Sequence, residues 1–135
     1  MRLSTAAARS AAALAFALAM PGVARADPCT APLPPAGTAF SGVVRYVGDG
    51  DSLCVGPRGH PDRWIEVRLG DFNAPELNEP GGRRAKELLR RVAMGRPLVC
   101  KAGRRSYDRV VALCTLGGRA VGEVLRRQGG QEGGR

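Results

Sequence analysis

The stretch that decides the fold is WIEVRLGDFNAPE, residues 64–76. Its first half, residues 64–69, alternates apolar and charged side chains with a period of two, which predicts a β-strand covered on one face. Arg68 lies on the opposite face of this strand, where a site can form. In the second half, Pro75 restricts its own backbone and that of the residue before it, so the loop carrying Glu76 is stiffened.

Strand patterns lie on both sides of this stretch. Four other segments have them: residues 41–47, 52–55, 98–101 and 109–116. The turn Gly48-Asp49-Gly50 predicts that the first two form a hairpin. Residues 83–94 have the apolar spacing of an amphipathic helix that ends at Gly95, and a short second helix begins at Val121. Five strands with a helix after the third predict an α+β fold, a small closed β-barrel with helices, and the five-stranded OB-fold is the obvious candidate.

The first residues have the features of a secretory signal peptide. Arg2 and Arg9 supply positive charge, residues 11–20 are apolar, and Ala24-Arg25-Ala26 is a small-x-small cleavage site. The apolar run is too short to cross a bilayer comfortably, so an uncleaved anchor is the less favoured alternative. We therefore expect an exported protein, periplasmic or secreted, with no membrane span after signal cleavage.

This assignment divides the chain into four parts. Residues 1–26 are the predicted signal peptide, and residues 27–40 are a leader rich in Pro and Ala. Residues 41–129 are the predicted OB-fold domain, and residues 130–135 are a Gly-rich tail that is expected to fray. We expect one small domain that acts as a monomer.

All four cysteines follow the predicted cleavage site. In an oxidising compartment they predict disulfides rather than buried free thiols. Cys100 and Cys114 lie on two strand patterns joined by a short loop, which favours that pair and leaves Cys29 with Cys54. A zinc site is not favoured, because the chain has no Cys-x-x-Cys motif and a single histidine.

The chain is strongly basic and rich in arginine. It has 21 basic and 12 acidic residues, for a formal net charge of +9. Guanidinium groups suit phosphate ligands, although a GC-rich genome favours Arg codons whatever the function. The charge fits nucleic acid and an anionic envelope polymer equally well. Aromatic residues are only 4% of the chain, which makes a platform for base stacking poor.

A set of charged residues points to phosphodiester chemistry. It comes from three separate strand patterns and consists of Asp49, Asp51, Arg68, Glu76 and Arg109. Carboxylates that hold a hard cation, a glutamate that activates water and two guanidinium groups that hold phosphoryl oxygens are what phosphodiester cleavage requires. The simpler alternatives are turn chemistry for Asp-Gly-Asp and a structural ion pair between Arg68 and Glu76.

At these residues the chain resembles the staphylococcal nuclease-like (thermonuclease) family. The resemblance covers about residues 41–129 and rests on four segments: Val47-Gly48-Asp49-Gly50-Asp51-Ser52, then Val67-Arg68-Leu69 followed by Asn73-Ala74-Pro75-Glu76, then Tyr107-Asp108-Arg109, then Glu123-Val124-Leu125-Arg126-Arg127-Gln128-Gly129. It implies a five-stranded OB barrel and metal-dependent, usually calcium-dependent, hydrolysis of DNA and/or RNA.

The resemblance implies a catalytic role for three residues. Arg68 and Arg109 match the two phosphate-binding arginines of the family. Glu76 matches the glutamate that deprotonates or positions the attacking water, and the 5′-oxygen would leave to give 3′-phosphate ends. Asp108 stands where the family usually has Gly, and its carboxylate would pair with Arg109 or repel phosphate. Tyr107 is expected to pack rather than to stack on bases.

The resemblance also implies a calcium site. Asp51 matches the first calcium-ligand aspartate, Asp49 matches an acidic residue of the outer shell, and the backbone of Ala74 completes the set. Asn73 stands at the second ligand aspartate, so one negative charge is lost and calcium should bind more weakly. Asp71 is a candidate to compensate. The alternative function is a catalytically weakened OB-fold module that binds nucleic acid or another polyanion in the envelope.

Overall fold

The computed structural model describes residues 10–15 and 27–133. The elements in chain order are β1 (Ala39–Asp49), β2 (Ser52–Val55), a 3-10 turn (Pro61–Arg63), β3 (Ile65–Leu69), α1 (Gly82–Ala93), β4 (Pro97–Ser106), β5 (Arg109–Leu116), β6 (Arg119–Ala120) and α2 (Val121–Arg127). Among the described residues, no helix combines the length and the apolar character that crossing a membrane requires. Apart from residues 10–15, the predicted signal peptide lies outside the described residues.

The strands form one sheet in the order β3-β2-β1-β4-β5-β6, and each neighbouring pair is antiparallel. In addition, β3 pairs in parallel with β5, with Val67 opposite Val110. This extra pairing closes the five strands from β1 through β5 into a barrel-like ring. The predicted small α+β architecture with helices is therefore confirmed, with a two-residue strand, β6, added to the five that the sequence predicts.

Two strands are longer than the sequence predicts. β1 begins at Ala39, inside the predicted leader, and β4 continues to Ser106 rather than ending at Lys101. The added part of β4 pairs with the start of β5, with Ser106 opposite Arg109, after a bulge. The segment 102–106 has no apolar alternation of its own, so its strand conformation comes from pairing with a distant segment.

The core lies inside the ring and under the two helices. Leu53, Val67, Leu69 and Val110 are at most 1% exposed, as are side chains that α1 and α2 contribute, such as Leu89, Val121 and Leu125. Each fully buried side chain of this size contributes about 1.5–3 kcal/mol of hydrophobic stabilisation. The inward positions of β2 and β3 therefore fix which side chains of these strands point outward, and the candidate site forms on that outer face.

The leader is packed against the outer face of β2 and β3. The Cys29–Cys54 disulfide joins it to β2, with a Cα–Cα distance of 6.0 Å. Beside that bond, the backbone N–H of Ala31 donates to the carbonyl of Trp64 at 3.1 Å. Cys54 is fully buried and Glu66 is 6% exposed. These outward positions would otherwise face solvent, so the leader gives the outer face a second buried layer.

The other disulfide joins Cys100 of β4 to Cys114 of β5, which are directly opposite each other with a Cα–Cα distance of 4.0 Å. The two pairs are those that the placement of the strand patterns favours, and no cysteine is free. Two disulfides in a chain of this size are compatible with an exported protein.

Candidate functional site

The turn between β1 and β2 places two carboxylates side by side. Asp49 Oδ1 accepts a hydrogen bond from the Asp51 N–H at 3.1 Å, which is a local turn contact. Gly50 between them is buried, and a Cβ at this position would lie 2.5 Å from the Cβ atoms of Ala74 and Ala85. Glycine therefore lets the loop after β3 and the helix α1 approach the turn closely.

Asp51 is the buried carboxylate at the centre of the site, with 5% exposure. Its Oδ2 accepts a hydrogen bond from the Ala74 N–H at 2.9 Å and lies 3.6 Å from Nη2 of Arg68. Its carbonyl accepts from the Leu69 N–H at 2.7 Å, which ties the turn to the end of β3. Residues from three segments of the chain thus meet at one carboxylate.

Arg68 links this carboxylate to the loop that follows β3. Its Nη2 donates to Asn73 Oδ1 at 2.8 Å, and its Nη1 is 3.4 Å from the carbonyl of Leu69. The side chain keeps 22% of its surface exposed. The guanidinium group is therefore held in a fixed position while part of it remains available to a ligand from solvent.

Asn73 has all of its polar groups engaged. Its side-chain oxygen accepts from Arg68, and its Nδ2 donates to the carbonyl of Gly133 at 3.2 Å. Its backbone N–H donates to Glu132 Oε1 at 3.1 Å, and its carbonyl accepts from the Gly133 N–H at 2.7 Å. Glu132 and Gly133 are thus bound to Asn73, which corrects the expectation of fraying at these two residues.

The electrostatics of the turn suit a cation at Asp51. Burial, the charge of Asp49 and a hydrogen bond with Asp49 together raise the pKa of Asp51 to about 7, against the opposing effects of Ala74 and Arg68. A cation relieves this crowding of carboxylates. However, no group of three or more His, Cys, Asp or Glu side chains placed to hold a metal occurs within residues 10–15 and 27–133. Asp49 and Asp51 are the two carboxylates of the turn, and the side-chain oxygen of Asn73 faces Arg68 rather than these carboxylates.

Asp71, the candidate for replacing the missing carboxylate, faces a different part of the fold. Its Oδ2 accepts a hydrogen bond from the Gly122 N–H at 3.0 Å, at the start of α2. Its Oδ1 is buried without a hydrogen-bond partner among the described residues. Asp71 therefore anchors α2 to the loop after β3.

Glu76 and Arg109 lie on elements that flank this cluster, the loop after β3 and the start of β5. Glu76 is exposed, and its backbone is fixed by a hydrogen bond of 2.9 Å from the Glu79 N–H to its carbonyl. Arg109 is half-buried at the start of β5, one residue before the Val67–Val110 pair, so it lies alongside Glu66. Because Glu66 and Arg68 share one face of β3, both arginines are on the outer face of the ring.

The turn before Arg109 corrects one expectation. Tyr107 does not pack: its side chain is 91% exposed, and its backbone adopts a φ of 57°. A positive φ is uncommon for a residue with a Cβ atom. Asp108 beside it is also exposed. The ring of Tyr107 is thus presented to solvent next to Arg109.

Glu66 is a site residue that the sequence analysis missed. Burial, a hydrogen bond with Asp27 and the charges of Asp108 and Asp27 together raise its pKa to about 8, while Arg109 opposes the shift. Burial and the charge of Asp27 also raise the pKa of Tyr46. The sequence contains one signal for the burial of Glu66. The Cys29–Cys54 pairing brings the leader, and Asp27 with it, onto the face of β2 and β3.

Comparisons with known proteins add no further evidence on function. No model of a known protein family matches the chain, and no curated protein matches it. The contacts of the site and the motifs in the sequence are therefore the basis on which a function is assigned.

Proposed function

We propose that the protein is an exported, metal-dependent nuclease that hydrolyses phosphodiester bonds of DNA and/or RNA. The observation that supports this best is a set of contacts of 2.8–3.6 Å, in which Asp51 meets Arg68 and the Ala74 N–H while Arg68 meets the side chain of Asn73. The turn that carries Asp51 is 23 residues from Ala74 in the sequence, whereas the strand and the loop follow one another directly. Their convergence at one carboxylate gives the motif resemblance a spatial counterpart.

We propose that the ring is an OB-fold. Five antiparallel strands closed by the parallel β3–β5 pairing, with α1 inserted after β3, support this assignment. The part of the outer face that the leader leaves open, around Arg68 and Arg109, would then be the substrate-binding surface. The two disulfides are in keeping with a periplasmic or secreted location.

The residues present suggest how the reaction proceeds. A divalent cation, when bound by Asp51 and Asp49, would neutralise phosphate charge. Arg68 and Arg109 bind the non-bridging oxygens as charge develops on them. Glu76 takes a proton from the attacking water, the bond from phosphorus to the 5′-oxygen breaks, and the leaving oxygen is protonated from solvent. A glutamate base of this kind contributes roughly 10²- to 10⁴-fold to the rate.

The test is a cleavage assay on single-stranded DNA with the oxidised protein. We would compare calcium, other divalent metals and EDTA, with Glu76→Gln as the catalytic control. Metal-dependent cleavage that is lost in Glu76→Gln supports the proposal. If Glu76→Gln and Arg68→Ala both leave cleavage intact, the assigned mechanism is wrong.

A second candidate function is a module that binds nucleic acid or another polyanion without cleaving it. The bond between Arg68 and Asn73 favours this candidate, because it occupies the oxygen that a second metal ligand would supply. Such a module would show salt-dependent binding without strand cleavage. A folded protein that shows no cleavage with any divalent metal tested would support it, whereas catalytic turnover of an oligonucleotide would exclude it.

A further inference from the structure

The tail of the chain places a carboxylate on donors beside the candidate site. Glu132 Oε1 accepts a hydrogen bond from the Asn73 backbone N–H at 3.1 Å and lies 3.5 Å from Arg126 Nη1. Asn73 in turn bonds to Arg68 through its side chain. An anion therefore already occupies the position next to the arginine that is proposed to bind phosphate.

Arg126 is held in place independently of the tail. Its Nη1 donates to the carbonyl of Asp71 at 2.8 Å, and its guanidinium carbon lies 5.8 Å from the ring centre of Phe72. Phe72 is a core residue with 3% exposure, yet 46% of the Arg126 side chain is exposed. The guanidinium group is thus preorganised by the fold and still open to a ligand.

We propose that the Asn73 amide and Arg126 form a second phosphate subsite, which Glu132 occupies while no nucleic acid is bound. Carboxylate and phosphate oxygens accept hydrogen bonds from the same donors, and both pair with guanidinium groups. Because the subsite adjoins Arg68, its ligand is a neighbouring phosphate of the strand bound at Arg68. This inference rests on the proposed function and makes a polynucleotide, rather than a mononucleotide, the preferred substrate.

The tail is suited to being displaced. Gly129 adopts a φ of 88°, and residues 129, 130 and 133 are glycines, which have many accessible backbone conformations once released. The ion pair between Glu132 and Arg126 is about half exposed on both sides, and exposed ion pairs are weak. A polynucleotide with several phosphates would therefore replace the carboxylate.

The first test compares two arginines on the same helix. Arg127 is a matched control for Arg126, because it is exposed and pairs with Glu123 at 2.7 Å instead of with the tail. We would measure binding of a fluorescent single-stranded oligonucleotide by anisotropy, in EDTA so that no cleavage occurs.

Arg126→Ala should weaken binding about 5- to 10-fold, as for loss of one charge-assisted contact, and lower the salt slope by about 0.7. Arg127→Ala should change binding less than about 2-fold, as for an exposed charge. Equal effects of the two variants would overturn the proposal.

The second test removes the charge of the competitor. Glu132→Gln should tighten oligonucleotide binding about 3-fold, because an internal anion no longer competes, and should have a smaller effect in the Arg126→Ala background, where only the Asn73 amide of the subsite remains. Glu123→Gln is the control for a lost carboxylate elsewhere on the surface. No tightening in Glu132→Gln, or equal tightening in Glu123→Gln, would contradict occupation of the subsite by the tail.

The third test separates a nucleic-acid phosphate from free phosphate. Oligonucleotides with one phosphate and with several phosphates would be titrated while the Asn73 amide resonance is followed by NMR, with inorganic phosphate as a further ligand. The proposal requires that several phosphates shift this resonance at concentrations where the single phosphate and inorganic phosphate do not. A shift produced equally well by inorganic phosphate would overturn the assignment to a strand.

Different results would contradict the proposed subsite and the proposed nuclease activity. If the wild type cleaves DNA but Arg126→Ala binds it like Arg127→Ala, only the subsite is wrong. If the binding effects appear in EDTA while no divalent metal supports cleavage, only the nuclease assignment is wrong. Circular dichroism and thermal unfolding of each variant would show that these effects do not arise from loss of the fold.

Discussion

Arg68 and Asn73 are joined by a hydrogen bond of 2.8 Å from Nη2 to Oδ1, across the loop that follows β3. This bond fixes the arginine that is proposed to bind phosphate. It also orients the oxygen of Asn73 toward a positive charge. A single contact therefore links the proposed phosphate-binding arginine to the residue at the proposed second metal-ligand position.

Asn73→Asp should strengthen calcium binding. The added carboxylate lies in the loop whose Ala74 amide contacts Asp51, and calcium prefers charged oxygen ligands, so we expect affinity to rise about tenfold. Isothermal titration calorimetry on the oxidised protein would measure this. Asn78→Asp, on the exposed part of the same loop, is the control for added negative charge. Equal gains in the two variants would show that position 73 has no special role.

Glu66→Gln should stabilise the protein at alkaline pH. The pKa of Glu66 is raised from 4.5 to about 8 in the folded state, where Asp27, Asp108, Arg109 and Tyr46 surround it. The folded state therefore binds the proton more tightly than the unfolded state, and stability falls as pH rises from about 4.5 to about 8. Glutamine keeps the neutral form, so its advantage over the wild type should grow as the pH rises from 5 to 9.

Urea unfolding of the wild type and Glu66→Gln at pH 5, 7 and 9 would measure this advantage. The exposed carboxylate of Asp62 provides a control, because Asp62→Asn should leave the pH dependence unchanged. Parallel stability curves for the wild type and Glu66→Gln would mean that Glu66 is not buried in its neutral form.

Gly50→Ala should destabilise the protein and disturb the site together. The new methyl group would lie 2.5 Å from the Cβ atoms of Ala74 and Ala85, and overpacking of this kind costs about 1–3 kcal/mol. Relief of the clash moves the loop away from Asp51. Gly70→Ala is a suitable control, because its nearest atom would be 3.3 Å away. Thermal unfolding and the NMR shift of the Ala74 amide would report the two effects, and an unchanged amide shift would contradict the second.

Removal of the Cys29–Cys54 disulfide should lower the pKa of Glu66 as well as the stability of the protein. The bond closes a loop of 25 residues, and its loss should cost about 3–4 kcal/mol in the chain-entropy model. Because the leader buries Glu66, its release should also lower the pKa of that carboxyl group. The control is removal of Cys100–Cys114, which closes a shorter loop of 14 residues. NMR titration of Glu66 in Cys29→Ser/Cys54→Ser would test this, and an unchanged pKa would show that the leader does not cause the shift.

The sequence by itself determined the elements that have a local pattern. The alternation in residues 64–69 predicted β3, the apolar spacing in residues 83–94 predicted α1, and Gly48-Asp49-Gly50 predicted the first turn. These features are set by neighbours along the chain. Each element buries one face, and the spacing of its apolar side chains along the chain identifies that face.

Only the tertiary structure decided which distant segments cover the face of each element that the local pattern leaves open. The burial of Glu66 depends on the leader, the extension of β4 depends on β5, and the engagement of Asn73 depends on residues 132 and 133. Each of these contacts joins segments far apart in the chain, and periodicity within one segment contains no information about a distant partner. The sequence therefore determined which residues are candidates for the site, and the packing of distant segments decided their pKa values and hydrogen-bond partners.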